Sequence, residues 1–224
     1  MNNIVIAIDG YSGCGKSSTA KEVAKALGFT YIDSGAMYRA AALHFLNEGL
    51  SPLHPEEVAK GLASLHISFQ LNAHTGKQET FLNGINVEDE IRTMRVSERV
   101  SEVATVKAIR LELVAQQQKL GQKKGVVMDG RDIGSVVFPQ AELKIFMTAD
   151  VDTRAKRRQL ELSQKGEEVS LEDIKANLEG RDQVDSSRVE SPLAKMPDAI
   201  EIDTSALTFA EQVAQIIELV KKVA

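Results

Sequence analysis

Gly10-Tyr11-Ser12-Gly13-Cys14-Gly15-Lys16-Ser17 is the stretch of this chain whose residue types and spacing most directly imply chemistry. It fits G-x-x-x-x-G-K-[ST] at every fixed position. Glycines let backbone N–H groups turn inward around phosphate oxygens, and the helix start that follows adds the positive end of its dipole. Lys16 reaches the outer phosphates, and the Ser17 hydroxyl is placed to sit on a magnesium ion. Two other readings compete. A glycine-rich turn needs no ligand, and a dinucleotide fingerprint would use Asp33 as its acid. Ser18, however, stands where the third glycine of that fingerprint belongs, and the fingerprint has no use for Lys16-Ser17. The loop therefore marks a user of nucleoside triphosphates and leaves open what becomes of the phosphate.

Handling a transferred phosphoryl group needs more cations than one loop supplies. Arg39 lies five residues after Ser34, and Arg131 stands in Asp129-Gly130-Arg131-Asp132-Ile133-Gly134, just beyond a buried strand. Ligands of open α/β sheets bind at that carboxyl end. Arg154, Arg157 and Arg158 lie together on one helix, and Arg181 and Arg188 flank Asp185 on a polar stretch. Rigid guanidinium forks suit phosphate oxygens, and several converging on one phosphoryl group stabilise its charge. Any single arginine is more simply a solvated side chain; Arg92, Arg95 and Arg99 are read as surface or hinge residues. For Arg157 and Arg158 a solvated helix face stays open beside the functional reading. Lys156-Arg157-Arg158 is brief and lacks aromatic neighbours, which argues against nucleic acid. His44, His54, His66 and His74 show no metal-ligand spacing. Cys14 occupies a free position in the loop and reads as a small filler more than a nucleophile.

These residues need a scaffold. Residues 4–8 form an almost unbroken apolar run, as a strand buried on both faces should. Residues 18–27 make a helix that ends at Gly28, 29–33 a second strand ending in an acid, and 36–47 a second helix. Strand, loop, helix, strand, helix begins a parallel α/β sheet. Helix 56–64 follows, and then the pattern changes. Residues 66–71 and 79–82 alternate polar and apolar around a hairpin connection at 72–77 containing Gly76. Asn83-Gly84 turns into a third short strand at Ile85 and Val87. Residues 65–88 are thus expected to be an antiparallel insertion on the substrate side. Residues 88–99 and 106–120 read as helices, while 125–129, 143–147 and 199–203 read as buried strands. The terminal helix from Thr208 aligns Phe209, Val213, Ile216, Ile217 and Val220 as a core stripe.

The chain has 224 residues, 43% hydrophobic and 26% charged, enough for one sizeable core with a small insertion. A net charge of −5 argues against general nucleic-acid binding. One cysteine suits a reducing compartment, no segment approaches the roughly 18 apolar residues of a membrane span, and the N-terminal apolar run is too short for a signal peptide. A cytoplasmic protein is expected.

Four motifs together resemble the bacterial cytidylate kinases: residues 10–16, Asp33-Ser-Gly-Ala-Met-Tyr-Arg39, residues 129–139, and Arg181-Asp-Gln-Val-Asp185-Ser-Ser-Arg188. The resemblance runs in order from residue 4 to about 220. It implies a P-loop NTPase fold, a central parallel sheet flanked by helices with a small antiparallel β insertion, as one kinase domain over 1–224. The implied core is 1–34, 120–150 and 197–224. The monophosphate-binding region is about 35–105, including the insertion at 65–88, and a short lid spans about 151–170. The family transfers the γ-phosphoryl of ATP, with Mg2+, to CMP or dCMP. Carried over residue by residue, Gly10 to Ser18 with Arg154, Arg157 and Arg158 would hold ATP. Ser34, Arg110 and Asp132 would read cytosine, since a carboxylate accepts from its N4 amino group. Arg39, Arg131 and Arg188 would clamp the acceptor phosphate, and Ser101, Arg181 and Asp185 would contact the sugar. Lys16, Arg131, Arg158 and Arg188 would neutralise charge during transfer. Some members carry glycine where Ser17 stands, so a direct Ser17–magnesium bond is open. The resemblance implies a monomer with no nucleic-acid or membrane partner. A kinase for another acceptor, such as UMP or shikimate, remains an alternative. A GTPase-type switch is the other, though the guanine-reading Asn-Lys-x-Asp is missing.

Overall fold

The computed structural model describes residues 3–73, 78–164 and 166–223. Residues 74–77 of the expected hairpin connection, Gly76 and His74 among them, and Lys165 of the expected lid segment lie outside the described residues. In chain order the elements begin with β1 (Val5–Gly10), α1 (Lys16–Leu27), β2 (Thr30–Asp33), α2 (Ser34–Asn47) and α3 (Pro55–Ser64). β3 (Ile67–Leu71), β4 (Gln78–Leu82), β5 (Ile85–Asn86), α4 (Met94–Thr105) and α5 (Lys107–Gly121) follow. The remainder is β6 (Val126–Gly130), β7 (Leu143–Thr148), α6 (Val151–Ser163), α7 (Leu171–Ser187), β8 (Ile200–Asp203) and α8 (Phe209–Val223). Two compact units divide the chain: Met1–Ile32 with Gly121–Ala224, and Asp33–Leu120.

The first unit is built on a five-stranded sheet ordered β2-β6-β1-β7-β8. β1 lies parallel between β6 and β7, so Ile8 faces Asp129 on one side and Ile145 on the other. All six residues of β1 are buried, which explains its lack of polar alternation. Ile6, Ile8, Val127, Ile145 and Met147 pack with Val23 and Ala24 of α1 and Ile216 and Val220 of α8. Burying side chains of this size contributes about 1.5–3 kcal/mol each. The expected stripe on α8 needs one correction. Phe209 is exposed at the helix start, and Gln212, paired with Thr19, occupies the buried face instead. The polar stretch around Arg181, for which no element is expected from sequence, is the last two turns of α7. Ile174 and Leu178 of that helix bury against Ala155 and Leu162 of α6, which a 3.6-residue period makes compatible with a polar exterior.

The second unit is organised around α2. Its residues Met37, Ala40, Ala41, Leu43 and Phe45 are buried on almost every side by α3, α4, α5 and the small sheet. That sheet is antiparallel and ordered β3-β4-β5, with Ile67 opposite Leu82 and Leu71 opposite Gln78. Asn83 (φ 50°) and Gly84 (φ 83°) supply the two left-handed residues that a tight hairpin between β4 and β5 requires. The single helix expected at 88–99 is divided. Thr93, extended at ψ 159°, separates a 3-10 turn at Glu90–Arg92 from α4.

The sharpest steric constraint is at Gly10, where β1 turns into the loop. Its φ is +145°, and a Cβ there would lie 1.9 Å from the Met147 carbonyl oxygen on β7. Neither backbone can yield without parting the two central strands. Gly10→Ala is expected to cost about 3 kcal/mol or more, read as a lowered denaturant midpoint. A loss under about 1 kcal/mol would show that β1 and β7 tolerate separation at this point.

Candidate active site

The loop 10–17 wraps around its own lysine. Lys16 Nζ donates to the Tyr11 carbonyl at 2.6 Å and lies 3.7 Å from Cys14 Sγ. Burial, then the charge of Arg131, lowers the Lys16 pKa, and Cys14, Asp129 and Asp9 oppose the shift. Cys14 is fully buried, in line with a filler, and its carbonyl accepts from Thr204 Oγ1 at 3.0 Å. Ser17 Oγ donates to Asp129 Oδ2 at 2.7 Å, and Tyr31 donates from its hydroxyl to Asp129 Oδ1 at 2.9 Å. A P-loop hydroxyl beside a carboxylate at the end of a neighbouring strand is the donor set that magnesium takes together with phosphate oxygens and water. The residues present therefore fit the ion. Sequence reading named Ser17 for this role and missed Asp129, although an acid ending a buried strand was the available signal.

The next layer is an alternating cluster of charge at the carboxyl edge of the same sheet. Arg131 Nε donates to Asp185 Oδ2 at 2.6 Å. Arg188 sits 3.8 Å from Asp185 and 3.9 Å from Asp132, and its Nε donates to the Ser191 carbonyl at 2.8 Å. Burial works against the Arg131 charge, but Asp185 more than restores it, so its pKa is raised. Four residues expected to handle the acceptor, Arg131, Asp132, Asp185 and Arg188, are thus brought together within this unit. Arg181 is half-buried on α7, one turn before Asp185.

Asp9, which sequence reading did not single out, ends β1 beside that cluster. Its carboxylate accepts the Ile133 N–H at 2.8 Å and the Gly134 N–H at 2.7 Å, at the start of a π-helical turn over Ile133–Val137. Burial raises its pKa to about 6, against the lowering by those two hydrogen bonds. The folded value exceeds the ordinary one of 3.8, so this group's contribution to stability is complete below about pH 4 and lost as pH rises through 6. Keeping it ionised at neutral pH costs about 3 kcal/mol.

The three arginines of α6 have different fates. Arg154 is buried: it donates to the Ser12 carbonyl at 3.1 Å, the Ala149 carbonyl at 3.0 Å and Asp182 at 2.6 Å, with its guanidinium 5.4 Å from the Tyr11 ring centroid. Arg157 donates to the Thr204 carbonyl at 2.6 Å and its hydroxyl at 3.0 Å. Arg158 reaches Glu161 at 3.0 Å on the solvent side. Arg154 and Arg157 brace the loop from behind, whereas Arg158 lies more in the open. Thr204 carried no motif that would have marked it, and Asp182, although inside the 181–188 motif, was not singled out.

In the second unit, Asp33 caps α2 by accepting the Ala36 N–H at 2.8 Å. Its other oxygen lies 3.4 Å from both Arg39 and Arg92. Burial opposes its charge, but Arg39, then Arg92, hold its pKa below the ordinary carboxylate value. Arg92 is exposed, as the surface reading expects, and it joins Glu88 at 2.6 Å to the carboxylate that anchors Arg39. Arg39 Nε is buried without a hydrogen-bond partner among the described residues. Ser34 is buried as the first residue of α2, and Ser101 is half-buried on α4. Arg110, on α5, donates to the Ala104 carbonyl at 2.9 Å, its guanidinium 5.3 Å from the Tyr38 ring centroid.

Comparisons with known proteins place the chain in a family. The family model described as cytidylate kinase matches residues 6–222. The chain is 54% identical to a cytidylate kinase of Cytophaga hutchinsonii, over 98% of this chain and 94% of that one. A cytidylate kinase of Parabacteroides distasonis is 52% identical, over 97% of this chain and 96% of that one. A solved structure of an uncharacterized protein from Eubacterium ventriosum superposes with a TM-score of 0.53 at 14% identity, covers 99% of each chain, and shares the fold alone. With a loop that cradles phosphates, arginines set among carboxylates at the sheet edge, and half its residues in common with such relatives along nearly its whole length, the chain belongs to the cytidylate kinase family.

Proposed function

We propose that this protein transfers the γ-phosphoryl of ATP to CMP or dCMP, releasing ADP and the pyrimidine nucleoside diphosphate. The observation that carries the reading is the cluster of Arg131 and Arg188 with Asp132 and Asp185, held in the same unit as the Lys16 loop. A triphosphate loop alone fits many reactions. Paired guanidinium forks with a carboxylate able to accept from an exocyclic amino group favour a cytosine nucleotide as acceptor.

In this reading residues 10–18 hold the ATP phosphates, and Lys16 exchanges the Tyr11 carbonyl for a phosphate oxygen. Ser17 and Asp129 would hold magnesium, which when bound would supply neutralisation of charge on the phosphates. Arg39, Arg131 and Arg188 take the acceptor phosphate, and Ser34, Arg110 and Asp132 take cytosine. Ser101, Arg181 and Asp185 take the sugar. The acceptor phosphate already carries a nucleophilic oxygen, so alignment and charge neutralisation supply most of the catalysis. Of the α6 arginines, Arg158 is assigned to ATP and to charge neutralisation, while Arg154 and Arg157 act mainly by shaping the loop. The lid is assigned to about 151–170 and the monophosphate-binding region to about 35–105, with the protein acting as a monomer in the cytoplasm without nucleic acid. Among the described residues no helix is long and apolar enough to cross a membrane.

Coupled ADP release measured with CMP, dCMP, UMP, AMP and GMP tests the acceptor. CMP or dCMP should lead by at least an order of magnitude; equal rates with UMP or AMP would refute the assignment. Arg131→Ala should lower kcat by about 100-fold or more with ATP affinity nearly unchanged. Normal turnover in a folded variant would remove Arg131 from the clamp. Arg158→Ala should raise the KM for ATP several-fold at unchanged Tm, whereas Arg154→Ala should lower Tm as well. A fall in Tm with Arg158→Ala and none with Arg154→Ala would reverse these roles.

A further inference from the structure

Asp9 stands outside every role assigned above, yet it is the carboxylate at which the phosphate loop and the Arg131-Asp132 segment meet. It immediately precedes Gly10, whose geometry is fixed by β7. Its two oxygens each take a different backbone N–H, those of Ile133 and Gly134, immediately after Asp132. The segment so held has no regular helix to hold it. Asp132 is outside any regular region, at φ −143° and ψ 26°, and one π turn follows. Gly134 packs closely enough that a Cβ there would lie 3.3 Å from Asp9 Oδ2 and 3.2 Å from the Lys144 side chain. A carboxylate that accepts two consecutive N–H groups fixes both the position and the rotation of that backbone. The same carboxylate is costly to bury, and an apolar residue in its place would avoid that cost.

We infer that Asp9 is a positioning residue for acceptor selection: through the Ile133 and Gly134 amides it sets where Arg131 and Asp132 sit relative to the loop that begins at Gly10. The inference rests on the reading of Asp132 as a cytosine-facing residue. It adds a residue at the end of β1 that touches neither nucleotide and yet determines how well cytosine is told from uracil. An amide in place of the carboxylate keeps one acceptor and turns an N–H donor toward a second N–H donor. The segment then has to shift, while the loop, anchored at Gly10 and by Lys16, keeps its form.

The test compares Asp9→Asn, Gly134→Ala and Asp132→Ala with the parent protein for kcat and KM with CMP, UMP and ATP, alongside Tm. Asp9→Asn should raise the KM for CMP about tenfold and lower the CMP-to-UMP ratio of kcat/KM, with the KM for ATP within about twofold. Its Tm should stay within a few degrees, because relief from burying a charge offsets the lost hydrogen bond. Gly134→Ala leaves every charge in place and presses on the Asp9 carboxylate from the other side. It should shift the same parameters in the same direction by a few-fold, and it serves as the test if Asp9→Asn does not fold. Unchanged CMP kinetics in either folded variant, while Asp132→Ala lowers the CMP-to-UMP ratio, would overturn the role of Asp9. So would equal losses for CMP and ATP that track a fall in Tm. If Asp132→Ala leaves that ratio unchanged, the reading of Asp132 falls and this inference falls with it.

Discussion

Positive charge gathered for a substrate has to be kept stable before the substrate arrives. A site for several phosphates needs a lysine and multiple arginines close together, and in a partly dry setting these repel one another. Here the cations are held by oxygens of the protein itself. Lys16 takes the Tyr11 carbonyl, Arg131 takes Asp185, and Arg154 takes Asp182 and the Ser12 carbonyl. Arg39 and Arg92 share Asp33 within the second unit. None of these partners is a phosphate, and each leaves donors over. The forks are therefore oriented in advance, and in the proposed reading a phosphate oxygen would replace a carbonyl or join a carboxylate without reorganising the scaffold.

That constraint explains why acids are as important as bases at the ends of the strands. Asp33 is the last residue of its strand and Asp9 and Asp129 the last but one of theirs, and each engages both of its oxygens. Asp33 caps a helix and holds arginines; Asp129 accepts two hydroxyls; Asp9 accepts two amides. A carboxylate with both oxygens engaged is stiff, and stiffness at strand ends is what loop-borne chemistry needs from its support.

Much of this was legible in the sequence because local rules dominate it. The buried run before Gly10, the motif itself and the Asn83-Gly84 hairpin each follow from backbone requirements of a few residues. The charged face of α7 hid its helix, because only Ile174 and Leu178 turn inward and polar residues fill the rest of the window. Thr93 is a residue type that favours the extended N-cap of a helix, a signal the single-helix expectation over 88–99 passed over. The pairings of Arg92 with Asp33 and of Arg154 with Asp182 join positions 59 and 28 residues apart. No periodicity connects such positions, and only the fold decides which arginine is spent on support and which is left for ligand.

The loop also depends on the far end of the chain. Thr204 donates to the Cys14 carbonyl across 190 residues, and Thr19 reaches Gln212 across 193. Residues 10–19 leave the ribosome almost the whole length of the protein before the residues that brace them. During synthesis the emerging loop therefore lacks both of these contacts until the residues of β8 and α8 have been added.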